Sequence, residues 1–453
     1  MRDSDTDVSG SEPVTCPFPQ LAAMSRVEQP ALRNRSAAYR EARDQGAVQW
    51  VPEFDAFFVL GRAEVVEVTS RPDIFSSCIA RGRGAMAVED QVRQQVIDLP
   101  EMADLVEQGY GKDAHVRAGL VADPPQHTRQ RSLVAPAFRP ARIRAMEEDI
   151  REVAGQLLGP VVARAAAGEE VELVEAWCKP FPLQVLARVL GVPADMVDDY
   201  ARWSEGLLKP VGRLSVDDDE LAEMVEARLQ FDRFFSEMLL ERRAHPQDDF
   251  LSDFVAGASE EGLQPLTLDE MLGILEQSVI AGHETTTKLM ASAMVWLAEL
   301  PGMLDRLSGD VRLIDAFVDE VLRLDAPSQY GTRQAMRDVE LGGVRIPAGS
   351  AVITSWGAGN RDAAAFPDPD TFEAGRANRA THLGFGHGIH YCAGHALGRT
   401  EMRIGLSILA ERVSAVELAV EGGRDGLTYA PSSMLHGPAA VPARLVVRES
   451  LVG

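Results

Sequence analysis

The chain has 453 residues, 45% hydrophobic and 25% charged, with 45 lysines and arginines against 69 aspartates and glutamates. That is ample for a large buried core, and a formal net charge of −24 makes nucleic acid and anionic lipid unfavourable partners for the surface as a whole. No apolar run reaches the length of about 18 residues that a bilayer span needs, and the acidic start "MRDSDTDVSGSEP" excludes a signal peptide.

Residues 1–20 read as a disordered leader. Length alone would allow about three domains of ~150 residues, yet 25–450 contains no linker, repeat or low-complexity block, so 21–453 is expected to form one domain. "VQWVPEFDAFFVLG" (48–61) joins two β-rich stretches through a turn-like Pro-Glu-Phe-Asp and predicts a hairpin. "DLPEMADLVEQGYGKDAH" (98–115) carries helical spacing at Leu99, Met102, Leu105 and Val106. In "ADPPQHTRQRSLVAPAF" (122–138), His127 and Arg131 are four apart and share a helical face; a solvated basic helix would look the same. From about 140 to 325 nearly everything has helical periodicity, punctuated by Pro and Gly. Helix therefore dominates, with small sheets near both ends: a mainly α protein with small β-sheets (α+β).

One helix stands out. Thr267 and Glu270 form a capping box, and the pattern runs on to Leu300, where Pro301 stops it. Such a helix spans roughly 50 Å. In its middle lies "AGHETTT" (281–287), where a glycine and β-branched residues weaken the helix and an acid is costly to bury. Either this is a locally weak helix with a solvated Glu284, or it is a bulge beside a ligand in which Glu284 and Thr285 handle protons. "EVLR" (320–323) places Glu320 and Arg323 at i and i+3, a spacing most often used for surface ion pairs. "VELGGVRIP" (339–347) alternates around Gly342-Gly343 and predicts a second hairpin.

The densest cluster is "FGHGIHYCAG" (385–394). Cys16, Cys78, Cys178 and Cys392 are the four cysteines, and no two form a CxxC pair. Structural zinc and disulfides are therefore not expected, and a cytoplasmic location is. Backbone amides of a glycine-rich loop and the positive end of the following helix (393–413) would stabilise a Cys392 thiolate, with Gly386, Gly388 and Gly394 permitting close approach. A lone thiolate does not suit zinc, which wants four protein or water ligands. It suits a haem iron, whose equatorial positions are filled by porphyrin, with Phe385 near the sulfur and His390 in reach of a propionate. A buried structural cysteine is the plainer alternative.

"FGHGIHYCAG" resembles the haem-binding loop of the cytochrome P450 family, Phe-x-x-Gly-x-x-x-Cys-x-Gly, matching at Phe385, Gly388, Cys392 and Gly394. His390-Tyr391-Cys392 is similar to the soluble bacterial class. Further likenesses follow in the family's order. "ADPPQHTRQR" resembles its Asp-Pro-Pro-x-His-x-x-x-Arg segment, "AGHET" its oxygen-activating motif and "EVLR" its Glu-x-x-Arg. The resemblance implies the P450 fold, a single domain with the long central helix lying over haem b (iron protoporphyrin IX). It implies Cys392 as metal ligand, with Phe385, Gly386, His390 and Gly394 around the cofactor and His127, Arg131, Arg333 and His390 on its propionates. It also implies a structural pair Glu320–Arg323 completed by Arg376. The activity implied is insertion of one atom of O2 into a lipophilic small molecule, with Thr285 and Glu284 as the catalytic acid–alcohol pair and Gly282 letting the helix open.

Family members driven by hydrogen peroxide generally lack that pair, so dioxygen with electrons from a separate ferredoxin and reductase is the favoured reading. A peroxygenase and a non-catalytic haem sensor are the alternatives. Arg129, Arg399 and Arg403 are candidates for a basic docking patch. By the same likeness the pocket would be lined by Leu207, Leu208, Ile280, Ala281, Tyr330, Met434 and Leu435, which suits a terpene, steroid, aromatic or polyketide-like substrate. Residues 98–115 are longer than is usual in this class and would form an extra lid helix. A monomer is expected, with no nucleic-acid partner and no membrane span.

Overall fold

The computed structural model describes residues 17–78, 87–112, 119–209, 216–257 and 262–448. Its axis is the long helix, Leu268–Glu299, whose capping box closes in both directions: Glu270 N donates to Thr267 Oγ1 (3.3 Å) and Thr267 N to Glu270 Oε2 (3.1 Å). Leu272, Leu275, Leu289, Ala293 and Met294 are all buried, so the helix is apolar on several sides and has to be enclosed. The helices Pro180–Val189, Asp218–Ala244, Val311–Leu324 and His395–Arg412 pack around it.

The helix runs unbroken through 281–287, so the opening expected at Gly282 is absent. A Cβ at Gly282 would lie 3.2 Å from Leu186 Cδ2. The glycine instead lets the helix Pro180–Val189 pack closely against the central one.

Both hairpins form as their sequences predict. Val48–Val51 pairs antiparallel with Ala56–Val59, and Val339–Leu341 with Val344–Ile346. The second turns through Gly342 and Gly343 at φ +55° and +77°, the left-handed pair that a two-residue hairpin loop requires. The first hairpin joins a five-stranded sheet that continues through Ala351–Ser355, Tyr330–Ala335 and Phe75–Ser76. Val171–Glu172, Pro442–Val447 and Val413–Leu418 make a second sheet of three strands.

Residues 17–20, assigned to the leader from sequence, are folded: Phe18 is buried and a helix begins at Pro19. Residues 1–16 lie outside the described residues. The first helices are tied to the end of the chain. Gln29 and Arg33 donate to the carbonyls of Tyr429 (2.9 Å) and Leu427 (3.0 Å), and buried Arg35 donates to those of Ser432, Ser433 and Leu435.

Within the expected lid, Pro100–Met102 and Ala103–Glu107 are helical, and Met102 and Leu105 plug into the main core. Tyr110 Oη donates to Asp232 Oδ2 (2.5 Å) on Asp218–Ala244, and Gly111 N to Asp269 Oδ1 (2.9 Å) on the central helix. The segment is thus latched to two helices; its last residues, 113–115, lie outside the described residues. No described helix is long and apolar enough to cross a membrane.

Candidate active site

The Cys392 loop is built from two left-handed glycines, Gly386 at φ +72° and Gly388 at φ +75°. A Cβ at Gly388 would sit 2.2 Å from the Thr69 carbonyl oxygen, so no other residue fits there. Cys392 N donates to Phe385 O (2.9 Å), closing the loop. Burial raises the thiol pKa, while the amides of Gly394 and His395 and the Arg131 guanidinium favour the thiolate. His395 opens the 18-residue helix His395–Arg412, whose positive end adds to that stabilisation. Phe385 lies under the Arg399 guanidinium (5.1 Å to the ring centroid), edge-on to Tyr391 and His395. Among the described residues no group of three or more His, Cys, Asp or Glu is placed to hold a metal. The thiolate therefore suits a metal that brings its other ligands.

Beside the sulfur stands a cluster of basic groups. The rings of His127 and His390 are 4.2 Å apart, and His127 Nδ1 and His390 Nε2 are buried with no hydrogen-bond partner. Arg131 Nη2 reaches the Tyr391 carbonyl (2.9 Å). Arg333 donates to the Thr332 carbonyl (2.7 Å) and makes no salt bridge among the described residues. Burial lowers the Arg333 pKa to about 10. Burial, then Arg333, His127 and Arg131, lower that of His390 to about 3. Two arginines thus flank two neutral histidines with unsatisfied nitrogens, and the nearby Asp123 carboxylate forms no salt bridge with any of the four among the described residues. Such an arrangement is stable around bound carboxylates, and the two propionates of a haem supply them. The residues fit the cofactor.

On the central helix, Thr285 Oγ1 donates to the Ala281 carbonyl (2.5 Å), and Glu284 is partly exposed and paired with Lys288 (3.0 Å). Lys288 was missed from sequence, although its i+4 spacing from Glu284 is the signal for such a pair. Thr286 bonds the buried Glu401 of the helix after Cys392, whose pKa is pushed well above the usual carboxylate range by burial. Nothing local in the sequence marks Glu401.

Behind the loop, Glu320 and Arg323 are both 0% exposed and 2.7 Å apart, and Arg376 Nε completes the trio at 3.2 Å from Glu320. Arg323 also donates to the carbonyls of Asn360 (3.0 Å) and Thr371 (3.1 Å). In this chain Glu-x-x-Arg is a buried structural unit rather than a surface pair.

The pocket candidates divide. Ala281 is exposed beside Thr285, and the side chains of Leu208 and Leu435 belong to none of the packed cores. Ile280 is half-buried against the main core. Leu207 is buried in that core. Tyr330 is buried in the separate N-terminal cluster, where it packs with Phe54 and Phe58 and bonds Ser433 through its hydroxyl (2.8 Å). Met434 packs against the same N-terminal cluster. Each of the three candidate docking arginines makes an ion pair within the chain. Arg129 holds Glu270 and the Gln264 carbonyl, Arg399 pairs with Asp319, and Arg403 pairs with Glu147 (2.6 Å).

The family model "Cytochrome P450" matches residues 107–415. The mycinamicin IV hydroxylase/epoxidase of Micromonospora griseorubida is 34% identical over 331 residues, covering 72% of this chain and 80% of that one. The vitamin D(3) 25-hydroxylase of Pseudonocardia autotrophica is 34% identical over 333 residues, covering 73% and 78%. The solved structure of CYP109Q5 from Chondromyces apiculatus superposes with a TM-score of 0.77 at 30% identity, over 93% of this chain and 98% of that one. Together with the arrangement around Cys392, these likenesses establish that the chain belongs to the cytochrome P450 family of haem b monooxygenases.

Proposed function

We propose that the Cys392 thiolate would ligate the iron of haem b, that His127, Arg131, Arg333 and His390 would hold its propionates, and that Thr285 and Glu284 would handle the protons its oxygen chemistry needs. The substrate would be a bulky lipophilic small molecule, with electrons from a ferredoxin and its reductase. The observation that carries this reading is the pair of orphaned buried nitrogens of His127 and His390, set between Arg131 and Arg333 beside a thiol capped by two amides.

The haem, when bound, supplies the one-electron and O2 chemistry. The protein's residues do the rest. Burial raises the Cys392 pKa, and the amides of Gly394 and His395 work against it, so they would help hold sulfur as the thiolate once the metal is bound. Thr285, tethered to the Ala281 carbonyl, keeps its hydroxyl at a fixed point on the central helix. Glu284 lies next to it, held by Lys288 yet partly exposed, which suits a carboxylate that exchanges protons with the outside. Phe385, whose carbonyl accepts from Cys392 N, would shield the sulfur from water. The acid–alcohol pair favours O2 over peroxide as oxidant.

For the substrate, the relatives named for mycinamicin IV and vitamin D(3) point to large, rigid, mostly apolar molecules. The apolar side chains of Leu208, Ile280 and Leu435 suit such a ligand. Screening macrolides, steroids and terpenes for the low-to-high-spin Soret shift tests the class; no shift with any of them overturns it.

Two outcomes check the residue roles. Thr285→Ala is expected to keep the haem spectrum while diverting most electrons to hydrogen peroxide, measured as product and peroxide per NADH; unchanged coupling refutes the role. Arg333→Leu combined with His390→Leu is expected to lower haem content, read as the Soret-to-280-nm ratio after purification, because two propionate partners are lost. Full haem retention would remove these residues from the cofactor site.

A further inference from the structure

One polar side chain beside this machinery has no part in it so far. His283, between Gly282 and Glu284, is 1% exposed, and neither ring nitrogen has a hydrogen-bond partner. Buried polar groups are nearly always satisfied, and an exception asks for a reason. If the position served packing alone, Leu or Phe would fill it at no such cost.

Its surroundings supply the reason. The charged groups facing the ring are Glu284 and Lys288 on its own helix, Lys179 at the start of Pro180–Val189, and Glu205 on Val197–Leu208. Lys179 Nζ pairs with Glu205 at 2.8 Å, and their side chains are 32% and 55% exposed, so this pair meets water. His283 thus sits where three helices meet, within electrostatic reach of both a wet ion pair and Glu284. Burial, the largest influence, keeps its pKa below the ordinary histidine value. The ring is therefore neutral near pH 7, with one nitrogen a donor and the other an acceptor.

We propose that His283 is the proton supplier of Glu284, linking it to water at the Lys179–Glu205 pair. One proton from water adds to the free ring nitrogen, and the proton on the other nitrogen leaves through a bridging water to the Glu284 carboxylate, since neither nitrogen bonds that carboxylate directly. The ring stays neutral overall, as its other tautomer, and Glu284 passes the proton toward Thr285. His283 acts through Glu284 and touches no reacting atom, so it is a positioning and supply residue. The inference rests on the proposed role of the Glu284–Thr285 pair.

His283→Gln, which keeps a hydrogen-bonding side chain but cannot titrate, is the test. Its expected signature is an unchanged reduced carbon monoxide band, product per NADH several-fold lower, more peroxide, and a larger solvent deuterium isotope effect on product formation. A second readout needs no turnover. In 13C-histidine-labelled protein in the ferrous carbon monoxide form, Glu284→Gln should lower the His283 titration midpoint and Lys288→Met should raise it. Unchanged coupling and isotope effect in His283→Gln, or a His283 resonance indifferent to Glu284→Gln, overturns the proposal. If His283→Gln does not fold, His283→Asn and the resonance measurement still decide it. Should Glu284→Gln and Thr285→Ala also leave coupling intact, the failure belongs to the acid–alcohol reading instead.

Discussion

Cys392→His is expected to abolish monooxygenase activity and the long-wavelength carbon monoxide band of thiolate-ligated haem. The loop is shaped for a small anionic sulfur, with Gly386 and Gly388 in left-handed conformations and the Gly394 and His395 amides directed at the sulfur. Those amides stabilise negative charge. A neutral imidazole gains little from them and is too large for a turn in which Gly388 already abuts the Thr69 carbonyl. It also lacks the electron donation by which a thiolate promotes O–O cleavage. Reduced carbon monoxide difference spectra of the purified variant decide the matter; retention of the thiolate-type band would remove Cys392 from the metal.

Glu320→Ala should be nearly as damaging, through stability rather than chemistry. Glu320 accepts from both Arg323 and Arg376, and none of the three side chains is more than 5% exposed. Deleting the carboxylate leaves the buried Arg323 without a counter-charge and Arg376 with only the exposed Glu373 at 3.5 Å, and stranding a buried cation typically costs about 3–5 kcal/mol. Against a usual domain stability of about 5–15 kcal/mol, that is enough to deplete the folded fraction. Urea unfolding midpoint and haem-loaded yield are the measurements. As a control, breaking the exposed Arg26–Glu28 pair, 56% and 48% exposed, should cost less than about 1 kcal/mol. Equal losses from both would show that Glu320 is not the buried keystone its contacts make it.

What could be read from sequence was what depends on neighbours in the chain. The capping box at Thr267 and Glu270, both hairpins, the glycine-rich cysteine loop and the helical face shared by His127 and Arg131 are all short-range features, and all stand in the structure. Local reading falls short where a distant segment decides the outcome. Arg129 looks free on its helix but is captured by Glu270 from the central helix. Tyr330, placed at the pocket by likeness alone, packs with Phe54 and Phe58 in another core. Gly282 reads as a weak point in a helix until Leu186 is packed against it. Composition cannot anticipate such partners, because each contact joins residues many positions apart.

The grip of Arg35 on the Ser432, Ser433 and Leu435 carbonyls has a practical outcome for anyone engineering this enzyme. The backbone that carries Leu435, proposed above as a substrate contact, is anchored by a side chain near the opposite terminus. Shortening the front of the polypeptide past that arginine should therefore alter which molecules are accepted, and at which carbon, before it alters whether haem is retained.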